Sequence, residues 1–170
     1  MDSDLPLAHG VLSWVCTWSG RHEEAVAAAR RALALDPGGA DIHYWLGVSL
    51  SFSGILEEAD GAFAEALRLN PHPPCYYHWA RAQNYMFMQR YPESIALAER
   101  IVREAPTFRG GYVVLAASYA LADRVEEARR VGREFYQLFS RVGYYRQAVG
   151  IAYKGEIGKR YQHCLELAGI

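Results

Sequence analysis

The sequence predicts an all-α solenoid made of about four stacked helix–turn–helix units and closed by C-terminal capping helices. Two observations carry this prediction. Residues 20–37 and 54–71 share 9 of 18 residues at an offset of 34, and the proline that ends each segment recurs 35 residues later, at Pro106. A chain that repeats at this step forms units that stack, because one unit cannot bury its apolar face alone.

Each unit carries the signals of two helices joined by a tight turn. Gly20 and Gly54 can end the first helix in a left-handed cap. Pro37, Pro71 and Pro106 stop the second helix and set the direction of the next unit. The predicted helix pairs are 6–19 with 22–35, 40–53 with 56–69, 75–88 with 91–104, and 109–122 with 125–139.

The tail of the chain predicts the cap that a solenoid end requires, since an uncapped end exposes apolar surface. From residue 156 onward, apolar side chains share one helix face; they are Ile157, Tyr161, Cys164, Leu165 and Ala168. A short helix is expected over 141–153. The predicted organisation is a single domain with four repeats in 1–140, at about 6–39, 40–73, 75–108 and 109–140, and a cap over 141–170.

Composition and charge argue against several classes of protein. Of 170 residues, 51% are hydrophobic and 22% are charged, which is typical of a globular protein. The net charge of −1 gives no support for nucleic-acid binding, and no apolar run approaches the ~18 residues of a membrane span. The N-terminus shows no signal peptide and the three cysteines form no disulfide framework, so we expect a reduced, cytoplasmic protein.

The two halves of the sequence carry opposite charge. Residues 1–80 hold 4 basic and 10 acidic side chains, whereas residues 81–170 hold 14 basic and 9 acidic ones. The simpler interpretation is a solvated surface. The alternative is a dipolar molecule that binds an acidic partner or associates head to tail with its own kind.

No pattern of catalytic or cofactor-binding residues stands out. The sequence has no glycine-rich phosphate loop, no nucleophile elbow and no paired catalytic carboxylates. His72, Cys75 and His78 lie close enough in sequence to meet a metal ion. However, His78 occupies a packing place of the repeat and no distant ligand pair completes the set, so packing is the preferred interpretation. We therefore expect no enzyme activity, no cofactor and no metal.

The repeat resembles the tetratricopeptide pattern, which reads W-x2-L-G-x2-Y, then A-x3-F, then a proline. In the second unit the pattern is filled by His43, Leu46, Gly47, Leu50, Gly54, Ala59, Phe63, Ala66 and Pro71. Four such units in series cover residues 6–140. The resemblance implies a right-handed α-solenoid that acts as a protein-binding scaffold.

The same resemblance implies which side chains line the concave groove of the solenoid. Groove places with aromatic, sulfur or polar side chains include Trp14, Asp41, Tyr44, Tyr76, Trp79, Gln83 and Met86. An aromatic floor with a few polar groups is typical of a peptide-binding site. The alternative is that these rings pack between neighbouring helices or against a segment of the same protein. We expect a protein or peptide partner or a homo-oligomer, and neither nucleic acid nor membrane as a partner.

The tail resembles a narrower group, the C-terminal repeat modules of bacterial class III adenylate and guanylate cyclases and of winged-helix regulators. Their last repeat is followed by a "PYK" segment and a final helix that ends in "AGL". Here the matching residues are Ala152-Tyr153-Lys154 and Ala168-Gly169-Ile170. The opening of the third unit, PHPPCYYHWARAQNY, is also similar to theirs. This resemblance implies an alternative function, that of a regulatory module acting on an attached domain.

Overall fold

The computed structural model of the protein describes residues 5–139 and 155–170. Within these ranges the chain forms nine α-helices and no strand. The helices are α1 (Pro6–Trp18), α2 (His22–Leu35), α3 (Ala40–Phe52), α4 (Leu56–Leu69), α5 (Cys75–Phe87), α6 (Tyr91–Glu104), α7 (Arg109–Leu121), α8 (Val125–Leu138) and α9 (Gly155–Ala168). In the described part of the chain, no helix combines the length and apolar character that a bilayer crossing requires.

The helix pairs confirm the predicted all-α helical repeat. Each bound of α1 to α8 lies within one residue of its predicted position, and the final helix begins one residue earlier than expected. Local signals fix these bounds, because a turn residue recurs at the same place in all four repeats and a proline follows each of the first three. The helix predicted over 141–153 lies outside the described residues.

The chain divides into two compact units, Met1–Tyr77 and His78–Ile170, called here the N-terminal and C-terminal units. The division falls inside α5. In the N-terminal unit, α1 packs on α2, α3 packs on both, and α4 packs on α3. In the C-terminal unit, α7 packs between α6 and α8, and α9 packs on α7 and α8.

Small residues set the distance between the two helices of a repeat. A Cβ atom added to Gly47 of α3 would lie 2.7 Å from the Phe63 ring of α4, closer than real side chains approach. Ala59 and Ala66, on the same side of α4, are fully buried beside it. The N-terminal unit therefore gains its core from a close approach of helices, which a larger residue at position 47 would prevent.

The final helix is a cap, as predicted. Tyr161, Cys164 and Leu165 are buried in the C-terminal unit, whereas the side chain of Ile157 lies outside the described part. The chain then turns through Gly169 at φ +78°, and the Ile170 N–H donates to the Leu165 carbonyl at 2.8 Å. This is the hydrogen bond of a helix end that is closed on itself.

The turn inside each repeat uses one left-handed residue at the same place. The residues are Gly20 (φ +71°), Gly54 (φ +81°), Gln89 (φ +61°) and Asp123 (φ +58°). In each turn the N–H of the next residue donates a hydrogen bond to a carbonyl of the preceding helix. The Arg90 N–H, for example, donates to the Tyr85 carbonyl at 2.9 Å. A side chain in this conformation costs about 1–2 kcal/mol, so the third and fourth repeats hold strain that the first two avoid.

Replacing Gln89 by Gly is expected to raise the free energy of unfolding by about 1 kcal/mol, because the turn keeps its shape and loses its strain. Urea unfolding followed by circular dichroism measures this change. The reverse substitution, Gly54→Ala, is the matched control. A Cβ at Gly54 meets no atom within 4 Å, so only its positive φ opposes the alanine, and a loss of about 1 kcal/mol is expected. Equal stabilities of Gln89→Gly and wild type would contradict the strain.

Candidate functional site

The residues predicted to line the groove fall into both units. The N-terminal unit holds Trp14, Asp41, Tyr44 and Tyr76, and the C-terminal unit holds Trp79, Gln83 and Met86. The two sets differ in their surroundings. In the first set, Tyr44 and Tyr76 lie near the exposed Asp41 carboxylate and Trp14 contacts Tyr44, whereas the second set packs inside its own unit.

Three tyrosines of the N-terminal unit form one cluster, called here the tyrosine cluster. Tyr44 comes from α3, and Tyr76 and Tyr77 come from the first turn of α5. The rings of Tyr44 and Tyr77 stack with centroids 4.8 Å apart and planes 8° from parallel. Tyr76 meets Tyr44 edge to face at 5.1 Å. Such ring–ring contacts have preferred geometries, so they orient the three rings in addition to the stabilisation that apolar burial provides.

Asp41 supplies the charge of this cluster. It lies in the first turn of α3, where the helix dipole favours an acidic side chain. The Tyr77 hydroxyl donates to Oδ1 of Asp41 at 2.6 Å. Among the described residues this is the only hydrogen bond that the Asp41 side chain makes, and Asp41 is exposed. One oxygen is therefore held in place while the carboxylate faces solvent.

The cluster keeps its hydroxyl groups neutral. Burial raises the pKa of Tyr44 far above its usual value, and Tyr76, Tyr77 and Asp41 raise it further. Burial also raises the pKa of Tyr77, and the hydrogen bond to Asp41 adds to the effect. The pKa of Tyr76 rises as well, through burial and then through the charge of Asp41. The three tyrosines therefore keep their protons to a higher pH than a free tyrosine and remain hydrogen-bond donors.

Trp14 extends the aromatic surface from the tyrosine cluster to α1. Its ring lies 6.4 Å from Tyr44 and 5.4 Å from Trp18, and Trp18 meets Phe52 at 5.2 Å. Trp14 is half-buried and Tyr76 is 36% exposed, whereas Tyr44 is only 3% exposed. A partner would therefore touch Trp14, Tyr76 and Asp41, while Tyr44 supports them from below.

Sequence reasoning missed Tyr77. This residue is 1% exposed and orients Asp41, although it lies one place beyond the predicted groove position of α5. The two residues are 36 positions apart in sequence. Pro73-Pro74 and the adjacent tyrosines that follow Cys75 are a sequence signal for a helix start with aromatic side chains, but the partner of the Tyr77 hydroxyl is visible only in the structure.

The predicted groove residues of the C-terminal unit pack inside that unit. Trp79 meets the Phe108 ring edge to face at 6.1 Å. Gln83 is 4% exposed, and its Nε2 lies 3.4 Å from the hydroxyl of Tyr161 on the capping helix. Met86 is 1% exposed. Gln83 and Met86 are therefore almost inaccessible to a partner in this structure of the unit.

The segment with His72, Cys75 and His78 shows no metal-binding geometry. The part of the chain that the structure describes contains no group of three His, Cys, Asp or Glu side chains placed to hold an ion. His72 is exposed in the turn before α5, and Cys75 is a free, half-buried thiol. Burial lowers the pKa of His78, and the charge of Arg100 adds to the effect. The surroundings of His78 fit a packing role.

Replacing Tyr77 by Phe is expected to weaken the loss of stability at high pH. In the unfolded chain this tyrosine ionises near its ordinary pKa of 10.0, whereas in the folded chain its pKa is raised and it keeps its proton. The contribution of Tyr77 to the free energy of unfolding is therefore fully present below pH 10, and it is lost as the pH rises above 10. Between about pH 9 and about pH 11, wild type should lose about 1.4 kcal/mol more than Tyr77→Phe in urea unfolding. Parallel pH profiles would contradict the raised pKa.

Comparison with known proteins supports the repeat family. A family model described as "Tetratricopeptide repeat" matches residues 19–74. A search of curated proteins finds no match.

Solved structures show the same fold at low sequence identity. PilW, described as a widely conserved type IV pilus biogenesis factor, is 18% identical at a TM-score of 0.76, and the match covers 99% of this chain and 75% of PilW. YrrB, described as a TPR protein with an unusual peptide-binding site, is 16% identical at a TM-score of 0.61, over 98% of this chain and 82% of YrrB. MamA from Desulfovibrio magneticus RS-1 is 17% identical at 0.66, over 98% and 97%. The family match over residues 19–74 and these shared folds together support a tetratricopeptide-repeat protein.

Proposed function

We propose that the protein is a non-enzymatic scaffold that binds a basic segment of a partner protein on its N-terminal unit. The observation that carries this proposal is the exposed Asp41 carboxylate, which Tyr77 holds at 2.6 Å beside the rings of Tyr44 and Tyr76. A carboxylate bordered by aromatic rings suits a lysine or arginine side chain, because the cation can pair with the charge and lie against a ring.

The charge of the N-terminal unit favours the same kind of partner. Residues 1–77 contain 4 basic and 10 acidic side chains. Such an excess attracts a cationic segment over a distance and orients it before contact. The Asp41 carboxylate then provides the short-range contact, and Trp14 and Tyr76 provide apolar area next to it.

The site is organised before a partner arrives. Tyr44 and Tyr77 are almost fully buried, so their rings do not have to be ordered on binding. Less conformational entropy is then lost when the complex forms. YrrB, described as a TPR protein with an unusual peptide-binding site, shares this fold, which supports a peptide as the bound species.

The expected result of a random-peptide phage selection on the wild-type protein is a set of peptides enriched in arginine or lysine. Synthetic copies of these peptides should bind Tyr76→Ala and Asp41→Asn at least 10-fold more weakly than wild type, a change of about 1.4 kcal/mol each. Isothermal titration calorimetry measures both. Both residues are exposed, so neither change is expected to unfold the unit.

Two variants serve as matched controls. Glu23→Gln removes an exposed negative charge from the same unit outside the cluster, and Tyr136→Ala removes a ring that is 47% exposed on α8. Both should bind like wild type. Selected peptides that lack basic residues would contradict the partner class, and equal affinity for wild type and the two cluster variants would contradict the site.

A regulatory module of a nucleotide cyclase or winged-helix regulator is the second candidate function. One observation favours it: the final residues that resemble those proteins, Ala168-Gly169-Ile170, form a closed cap. The carbonyl oxygen of Ala168 lies 1.9 Å from where a Cβ of Gly132 would be. The end of the capping helix therefore packs against α8 only because position 132 has no side chain. A cyclase or winged-helix domain in the same reading frame would favour this function, and its absence from the full reading frame would exclude it.

A further inference from the structure

We propose that α1 carries an interface through which two copies of this chain pair around a two-fold axis. The basis is an apolar stripe on the outer side of α1 that nothing in the described part of the chain covers. Its large side chains are far more exposed than is usual for their type; they are Leu5 (54%), Leu7 (64%), Val11 (49%), Leu12 (47%) and Val15 (48%).

The internal repeat shows how this chain uses such a face. One repeat step of 34 places Ala8, Leu12 and Val15 of α1 at the positions of Ile42, Leu46 and Ser49 of α3. Those three residues of α3 are at most 5% exposed, and α3 packs on α2. The outer face of α1 is thus of the kind that another helix covers, and in α1 it is exposed.

The spacing within the stripe fits a helix as the covering element. Ala8, Leu12 and Val15 follow one another at intervals of four and three residues, which form a straight seam along a helix, and Leu5 directly precedes the helix. Helices with such a seam pack side by side at a small crossing angle. The partner surface is therefore an apolar helix of similar length.

A second copy of α1 meets these requirements. In an antiparallel pair around a two-fold axis, Leu12 lies at the axis, and Ala8 faces Val15 of the second copy, so that a small residue meets a larger one. Helix α1 contains no Asp, Glu, Lys or Arg. Bringing two identical stripes together therefore sets no like charges of α1 against each other.

The size of the stripe is sufficient for a weak dimer. The exposed fractions of the five large side chains correspond to roughly 500 Å² of apolar surface, which is large for a patch on a monomer. Two copies would together bury about 1,000 Å², the lower limit for a specific interface. Asp41 and Tyr76 are not part of this stripe, so Asp41→Asn and Leu12→Glu test the peptide site and the dimer interface separately.

Sedimentation equilibrium from about 1 µM to about 1 mM protein is expected to show a rise from the monomer mass of 19.1 kDa to twice that value. Leu12→Glu should weaken association by about 100-fold, because the two carboxylates would meet at the axis without a partner. Leu138→Glu is the control, since Leu138 is a 56% exposed leucine on α8; this variant should associate like wild type.

Charge exchange then tests the pairing itself. Ala8→Glu and Val15→Lys should each weaken the dimer, and the double variant should recover it because each Glu faces a Lys of the second copy. Circular dichroism confirms that each variant is folded. A wild-type monomer at every concentration would overturn the proposal. A dimer that tolerates Leu12→Glu, or no recovery in the double variant, would overturn this interface.

Discussion

The close contact between α3 and α4, the two helices of the second repeat, is the constraint on which the candidate site depends. Gly47 leaves no room for a side chain beside Phe63, and the alanines that face α3 from α4 are fully buried. The helix that makes this contact, α3, also carries Asp41 in its first turn. The chemistry of the candidate site thus follows from a packing requirement that contains no charged group.

In the candidate site, buried aromatic side chains hold one exposed carboxylate, that of Asp41, at a fixed position on the surface. Tyr44 and Tyr77 are both buried, Tyr77 holds Asp41 through its hydroxyl group, and burial raises the pKa of both tyrosines. A free aspartate on a helix would rotate among several positions, whereas this carboxylate has one oxygen fixed by a donor. The result is an acidic group of defined direction next to aromatic surface, which suits recognition better than catalysis.

Sequence reasoning succeeded where structure is local and failed where contacts join distant residues. Helix bounds followed from Pro37, Pro71 and the turn residues, and the left-handed turn persists at Gln89 and Asp123, where no glycine marks it. In contrast, Tyr77 and Asp41 meet across 36 positions, and Gln83 and Tyr161 meet across 78. A repeat pattern predicts which face of its helix a residue lies on. It does not predict which side chain of another helix contacts that residue.

Hydrogen–deuterium exchange with and without a selected basic peptide tests the central claim most directly, since it locates the bound surface without any substitution. Binding at the tyrosine cluster should slow amide exchange at the start of α3, near Asp41, and in the first turn of α5, at Tyr76 and Tyr77. Exchange in α8 should stay unchanged. Protection confined to other helices, with no change at Asp41 or Tyr76, would contradict the account.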